Sequence, residues 1–441
     1  MCVAKIIVQM LSCIREHSFS YNKLGEIMNR VILHCDANSF YASVFCSVYL
    51  LYRGLPVAIC GRKEERHGIV LAATPEAKKM GIKTGMTIND ALRLCPRLVI
   101  QPPDYSEYMR YSRHLVSIYR EYTPLVQSFG LDEAWLDISG PGITLEDGVR
   151  LADELRWRAW EELGITISVG VSFNKIFAKL GSDLKKPNAT TVITLDNYQS
   201  IVWPLPVADL LYVGNKNAQK LAYHGIKTIG DLASASPDLM KLIMGKIGLM
   251  IRTFARGEDN SPVEEDDAIK SVGNSSTLPH DANTPEEAAA AIYMISESVA
   301  ARLRDNDLKA RCISIGIRDT KLNWAGCQRT IGHATALSGE IAKTAIDLFN
   351  RKYVKWLPLR TMGISCSSLV PGSTPEQTDL FGDAIRREKE MALACSLDDI
   401  RRRWGHQIIQ RGIVLADPLF AKVNPKEEHL IHPVGYLKGS I

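Results

Sequence analysis

Two short stretches far apart in the chain limit its fold more than any other feature. The apolar run Val31-Ile32-Leu33-His34-Cys35 ends in Asp36, and Ser128-Phe129-Gly130-Leu131-Asp132-Glu133-Ala134-Trp135-Leu136-Asp137 sets two adjacent carboxylates beside a glycine turn. The first reads as a buried strand delivering a carboxylate to an exposed strand end, the second as an alternating strand entered through a turn. Three carboxylates, Asp36, Asp132 and Glu133, can then meet at one edge of a sheet. Oxygen ligands of this kind suit hard divalent cations such as Mg2+, and two such ions about 3.5–4 Å apart can clamp the attacking and leaving oxygens of a phosphoryl transfer. Asp137 shares the strand face of Glu133 and Trp135 if the alternation holds, and is expected to be structural. An isolated acid beside a turn is ordinarily a solvated turn residue, so the metal reading depends on further motifs.

Those motifs follow in order. They are His34-Cys35-Asp36-Ala37-Asn38-Ser39-Phe40-Tyr41-Ala42-Ser43-Val44, Arg53-Gly54-Leu55-Pro56-Val57-Ala58, the segment from Gly130 to Asp137, Ser168-Val169-Gly170-Val171-Ser172-Phe173-Asn174-Lys175-Ile176-Phe177-Ala178-Lys179-Leu180, and Lys185-Lys186-Pro187-Asn188. Over residues 28–371 the chain resembles the Y-family, or translesion, DNA polymerases, most closely the bacterial UmuC-like and DinB-like members. The resemblance implies a multidomain α+β right-hand polymerase that adds dNTPs to a primer 3'-hydroxyl with two Mg2+ ions, copying past lesions.

By position, Asp36, Asp132 and Glu133 would be the catalytic metal ligands, with the backbone carbonyl of Ala37 as a further oxygen. Tyr41 would be the steric gate, a ring beneath the incoming sugar that collides with a ribose 2'-hydroxyl. Lys186 would contact the triphosphate, and Lys78 stands where an arginine usually does the same. Two residues depart from the pattern. Pro75 replaces a tyrosine that commonly helps hold the triphosphate, and Phe45 replaces a glutamate. Lysine keeps the charge of arginine but not its bidentate geometry, so a weaker or differently shaped grip on the triphosphate is expected.

At 441 residues the chain is too long for one ordinary core. The resemblance divides it into a discontinuous palm (28–38 and 102–195), small fingers (39–101), a helical thumb with a helix-hairpin-helix (196–267), an α/β little finger (270–371) and a C-terminal tail (372–441). Residues 1–27 read as a poorly ordered extension, with Met28 a plausible natural start. The net charge of +4 is too small to argue for nucleic acid, so local clusters must do so. Ten cysteines without a CxxC pair suggest neither a zinc site nor a disulfide framework; they read as reduced thiols of a cytoplasmic protein. No run approaches the roughly 20 apolar residues of a membrane span.

Helical spacing at Leu151, Leu155, Ala159 and Leu163 predicts a helix, Ile165 to Val169 a strand, and Asn174 to Leu184 a helix carrying Lys175 and Lys179. The Val213-Gly214 turn, with Lys216 beside it, would offer backbone N–H groups to a DNA phosphate, although Tyr212 replaces a glycine frequent in that hairpin. Ile313, Ile315 and Ile317 share one strand face, predicting a half-buried sheet. The resemblance lays that sheet on duplex DNA, with Arg311, Arg318, Lys321 and Arg329 as candidate phosphate contacts. Past Pro371 the composition turns polar, with a helix-like stretch over 397–410. Gln377-Thr378-Asp379-Leu380-Phe381 resembles the peptide that bacterial polymerases dock into the sliding clamp, through Gln377, Leu380 and Phe381. The implied partners are primer-template DNA, dNTPs and that clamp, for a monomeric chain with no membrane contact. A non-catalytic accessory of the same fold would have lost its carboxylates, and a nucleotidyl cyclase would not need the DNA-gripping segments.

Overall fold

A computed structural model describes residues 30–61, 68–264, 269–353, 357–375 and 383–424. The Gln377–Phe381 peptide and the extension over 1–27 lie outside the described residues. The chain divides into two compact units, one of Met1–Gly61 with Ile69–Asp266 and one dominated by Asp267–Ile441.

In the first unit, β1 (Ile32–Ala37) leads into α1 (Phe40–Val48). A small sheet follows, built from β2 (Val57–Cys60), β3 (Val70–Ala73) and β4 (Val99–Gln101), with α2 (Pro75–Lys79) and α3 (Ile88–Leu94) between β3 and β4. Next come α4 (Tyr105–Arg120), β5 (Val126–Ser128), β6 (Glu133–Asp137), α5 (Leu145–Leu163), β7 (Ile167–Ser172), α6 (Lys175–Leu184) and β8 (Thr190–Ile193). Five strands form one sheet in the order β5-β6-β1-β7-β8. β1 is its centre, antiparallel to both neighbours.

That central place explains the unbroken apolar run before Asp36. A strand covered on both faces needs apolar side chains on both. Gly148 of α5 lies against Val31, Leu33 and Val171 on one face, while α6 covers the other, where His34 meets Ser182. The approach of α6 demands Gly170 in β7, because a Cβ there would overlap the Ala178 carbonyl oxygen. Thr144 caps α5 with a reciprocal Asp147 box, and Asn174 caps α6 by accepting from Phe177 N–H at 2.8 Å.

The rest of this unit is helical: α7 (Tyr198–Val202), α8 (Asn215–Tyr223), α9 (Ile229–Ser234), α10 (Pro237–Met244) and α11 (Lys246–Ala255). Phe173 and Phe177 share one core with Leu221, Ile229, Met240 and Ile251. Before α8, the expected first helix of the hairpin is only a 3-10 turn, Val207–Asp209.

The second unit holds β9 (Ser271–Ala282), α12 (Pro285–Asp305), β10 (Leu308–Asp319), β11 (Trp324–Thr335), α13 (Ser338–Lys352) and β12 (Leu359–Pro371). Its sheet is antiparallel in the order β11-β10-β12-β9. Ile313, Ile315 and Ile317 point into the core with α12 and α13, as their alternation predicts. On the opposite face small residues line up across strands, Gly316 beside Gly363 beside Ser275.

Residues 383–424 return to the core of this unit. α14 (Asp383–Trp404) and α15 (Gly412–Leu415) pack back on α12, and Val414 and Phe420 enter the same core. Glu297 in α12, only 8% exposed, accepts from Arg401 at 2.9 Å and Arg411 at 2.8 Å. Arg304 makes a two-pronged pair with Asp398 at 2.6 and 2.9 Å. The helix begins before the expected 397–410 stretch and ends short of it, at Trp404.

Candidate active site

The register of the five-stranded sheet assembles the acids. Asp36 stands directly opposite Glu133 of β6, and opposite Ser168 of β7 on the other side. Directly opposed residues of antiparallel strands share a face, so the two carboxylates emerge together. Asp132 is held at the same edge by its carbonyl, which accepts Ala37 N–H at 2.9 Å. Gly130 just before it has φ of 95°, which only glycine adopts freely.

Each acid is held in a different electrostatic state. Burial pushes the Asp36 carboxyl up to about 7 against the pull of Lys186, whose Nζ lies 2.7 Å away, and the charges of Glu133 and Asp132 add to the rise. Burial likewise raises Asp132 to about 6, with Glu133 adding to it. Burial also pushes Glu133 upward, but the Lys179 ammonium overcomes it and holds the group below the usual carboxylate range. Lys179 Nζ donates to Glu133 Oε2; His34 Nε2, 3.3 Å from that oxygen, is not aligned for a hydrogen bond. His34 is itself lowered to about 4 by burial, so it is neutral. Acids that burial keeps partly protonated at neutral pH form a site short of positive charge.

The donor set suits a hard divalent cation, being all oxygen and set at one strand edge. Among the described residues no three His, Cys, Asp or Glu side chains already converge as a cage. Asp36 and Glu133 each hold a lysine instead. Mg2+ commonly keeps several waters and takes substrate phosphates as ligands, so a few protein carboxylates suffice.

Lys186 also pairs with Asp183 at 2.8 Å. Lys78 Nζ donates to Ser39 Oγ at 2.8 Å, and its pKa is lowered by burial and by the charge of Lys186. The two lysines thus face a common space beside the acids. Pro75 begins α2 behind the Thr74 cap, the helix position that best accepts proline. Phe45 packs against Tyr49 at 4.9 Å and Tyr52 at 5.1 Å. Tyr41 stacks on Tyr108 of α4, with rings 4.2 Å apart and 16° from parallel, and burial and the Asp132 charge raise its hydroxyl pKa. Asp137 is structural, accepting from Ser139 N–H at 2.9 Å and Arg30 at 3.5 Å.

The nucleic-acid candidates separate. Val213 is buried, while Gly214 caps α8 without a side-chain hydrogen bond and Lys216 is exposed. Tyr212 adopts φ of 69°, the left-handed conformation that explains why glycine is frequent there. In the second unit Arg318 lies on the open sheet face, its guanidinium 5.6 Å over the Trp324 ring, with Lys321 in the following turn. Arg311 is exposed where the β10–β11 register shifts. Arg329 must be removed from this set. It stands opposite Ile313, on the helix-covered face, and pairs with Asp347 of α13 at 3.6 Å.

His34 and Lys179 escaped notice as site residues in the sequence. The only signal for Lys179 was its place in the motif running from Ser168 to Leu180, on the helix that covers the acid-bearing face.

Comparisons with known proteins place the chain in a family. Residues 35–183 match the impB/mucB/samB family and residues 269–380 match that family's C-terminal domain. DNA polymerase IV of Acetivibrio thermocellus is 44% identical over 393 residues, covering 88% of this chain and 98% of that protein. DNA polymerase IV 1 of Bacillus subtilis is 36% identical over 399 residues, covering 88% and 94%. Among solved structures, the Y-family DNA polymerase chimera Dbh-Dpo4(243-245)-Dbh shares the fold with a TM-score of 0.70 at 24% identity, covering 77% of this chain and 99% of that one. The chain belongs to the impB/mucB/samB family, as a DinB-like member of the Y-family DNA polymerases. It is a DNA-directed DNA polymerase of the translesion class.

Proposed function

We propose that this polymerase extends a primer 3'-hydroxyl with dNTPs at the sheet edge carrying Asp36, Asp132 and Glu133, which together with the Ala37 carbonyl hold two Mg2+ ions. The observation that carries this is the opposition of Asp36 and Glu133 on adjacent strands, with Lys186 and Lys78 facing the same space. When bound, the ions would activate the primer hydroxyl and neutralise charge on the reacting phosphates. The side chains of this chain do the rest. Lys179 keeps Glu133 ionised and ready as a ligand. Lys186 exchanges its Asp36 partner for the triphosphate, joined by Lys78, so two point charges offset the dNTP as Asp36 is freed for metal. Tyr41, braced by Tyr108, forms the floor under the sugar and excludes a 2'-hydroxyl.

The five-stranded sheet and its helices serve as palm, the three-stranded sheet as fingers, residues 196–267 as thumb, and the four-stranded unit as little finger. DNA phosphates are met by the Val213-Gly214 turn and Lys216, and by Arg311, Arg318 and Lys321. Gln377, Leu380 and Phe381 tether the enzyme to a sliding clamp. Among the described residues no helix is long and apolar enough to cross a membrane; a monomeric cytoplasmic enzyme fits this reading. Asp132→Ala or Glu133→Ala should abolish primer extension with Mg2+ while leaving primer-template binding intact. Substantial extension by either purified variant would sink the assignment.

A further inference from the structure

Lys186 sits on a short exposed loop that leaves α6 after Leu184 and reaches β8 at Thr190. A charge on such a loop is a poor anchor unless the backbone is already fixed, because ordering each free residue costs conformational entropy. Two side chains fix it from opposite sides. On the inside, Asn38 Oδ1 accepts Asn188 N–H at 2.8 Å and Thr166 Oγ1 at 3.1 Å, while Asn38 Nδ2 donates to Ser168 Oγ at 2.9 Å. The Asn38 backbone N–H donates to Thr166 O at 2.9 Å, and the residue is only 6% exposed. One buried amide therefore ties the end of β1, the start of β7 and the lysine loop together. On the outside, Arg156 of α5 donates to Asn188 O at 2.6 Å and Asn188 Oδ1 at 3.1 Å, and is itself held by Asp153 at 2.8 Å. Asn188 lies between the two grips with φ of 52°, a conformation that asparagine tolerates better than most residues.

We propose that Asn38 and Arg156 are positioning residues for nucleotide binding, holding the Lys186–Asn188 loop so that the Lys186 ammonium is set in advance beside Asp36. The strand end that presents the acid thus also fixes the loop that presents the cation. A preset charge binds its phosphate without an ordering cost, so loss of either grip should appear in dNTP affinity. This rests on the reading of Lys186 as a triphosphate contact.

The test is steady-state primer extension on an undamaged template, comparing the parent with Asn38→Ala, Arg156→Ala, Lys186→Ala and the two doubles with Lys186→Ala. Losing a hydrogen bond worth about 1–1.5 kcal/mol should raise the dNTP KM about tenfold in each single grip variant. Primer-template Kd should stay at the parent value, with kcat changing less than KM. Hydrogen exchange at the Asn188 amide should quicken in both. In the Lys186→Ala background neither grip variant should raise KM further, since both act through that lysine. A parental KM in Arg156→Ala, or additive effects in the doubles, overturns the proposal, and Arg156→Ala decides it if Asn38→Ala does not fold. If Lys186→Ala alone leaves KM unchanged, it is the triphosphate reading that has failed, and the proposal falls with it.

Discussion

Replacing Asp36 by asparagine should make the metal-free protein more stable at neutral pH while ending its activity. The folded protein raises this carboxyl from its ordinary 3.8 to about 7, chiefly through burial. A raised acid binds its proton more tightly folded than unfolded. The stability it contributes is therefore fully present below about pH 3.8 and lost as pH rises through about 7. At about 1.4 kcal/mol per pKa unit, the ionised form costs on the order of 4 kcal/mol above pH 7. Asparagine has the shape of the protonated acid and never ionises, but offers Lys186 a poorer partner. A net gain of about 2–3 kcal/mol is expected, or roughly 5–10 °C in the melting of a unit this size. Thermal melts of parent and variant in EDTA across pH 4–8 read this directly. The gap should open from pH 4 and level off just above pH 7. Mg2+ should narrow it by stabilising the parent alone, and the variant should not extend a primer. Equal melting at pH 8, or a gap that ignores pH, would refute both the burial argument and the account of Asp36 as an acid held ready for a cation.

Tyr41→Ala should raise ribonucleotide relative to deoxynucleotide insertion by orders of magnitude, with Tyr108→Ala, which removes the ring stacked at 4.2 Å, giving a smaller rise; unchanged insertion ratios would make Tyr41 an ordinary packed aromatic. Gly170→Ala must push α6 off β7, at a cost of about 3 kcal/mol or more, and a parental melting profile would show that the two elements are less tightly apposed than they stand. Phe420→Ala should destabilise the second unit by about 3–5 kcal/mol in urea unfolding, because that ring is fully buried in its core; no loss would mean that the C-terminal segment is dispensable to the fold. Replacing Leu380 and Phe381 together by alanine should leave extension on short primed DNA unchanged yet remove most stimulation by a loaded sliding clamp, since tethering acts through effective concentration; undiminished stimulation would place the tether elsewhere.

What could be read along the chain was local. The Val31–Cys35 run announces a central strand, Ile313, Ile315 and Ile317 announce a half-buried one, and the carboxylates that matter could be picked because they end strands or follow turns. Such signals survive in one dimension because strand and helix periods depend only on near neighbours. Pairing across the fold does not. Nothing near Glu133 in sequence shows that Lys179 will hold it ionised, or that Lys78 will face Lys186 across the same space. Arg318 and Arg329 look alike as surface cations. The length of the β10–β11 turn sets the parity of their hairpin, and a one-residue change in register would bring Arg329 onto the face of Arg318. The return of α14 onto α12 rests on Glu297, Asp398 and their arginines, and ion pairs between distant segments leave no periodic trace. The tertiary structure alone decided these points, because register, and the company a buried charge keeps, depend on groups that only folding brings together.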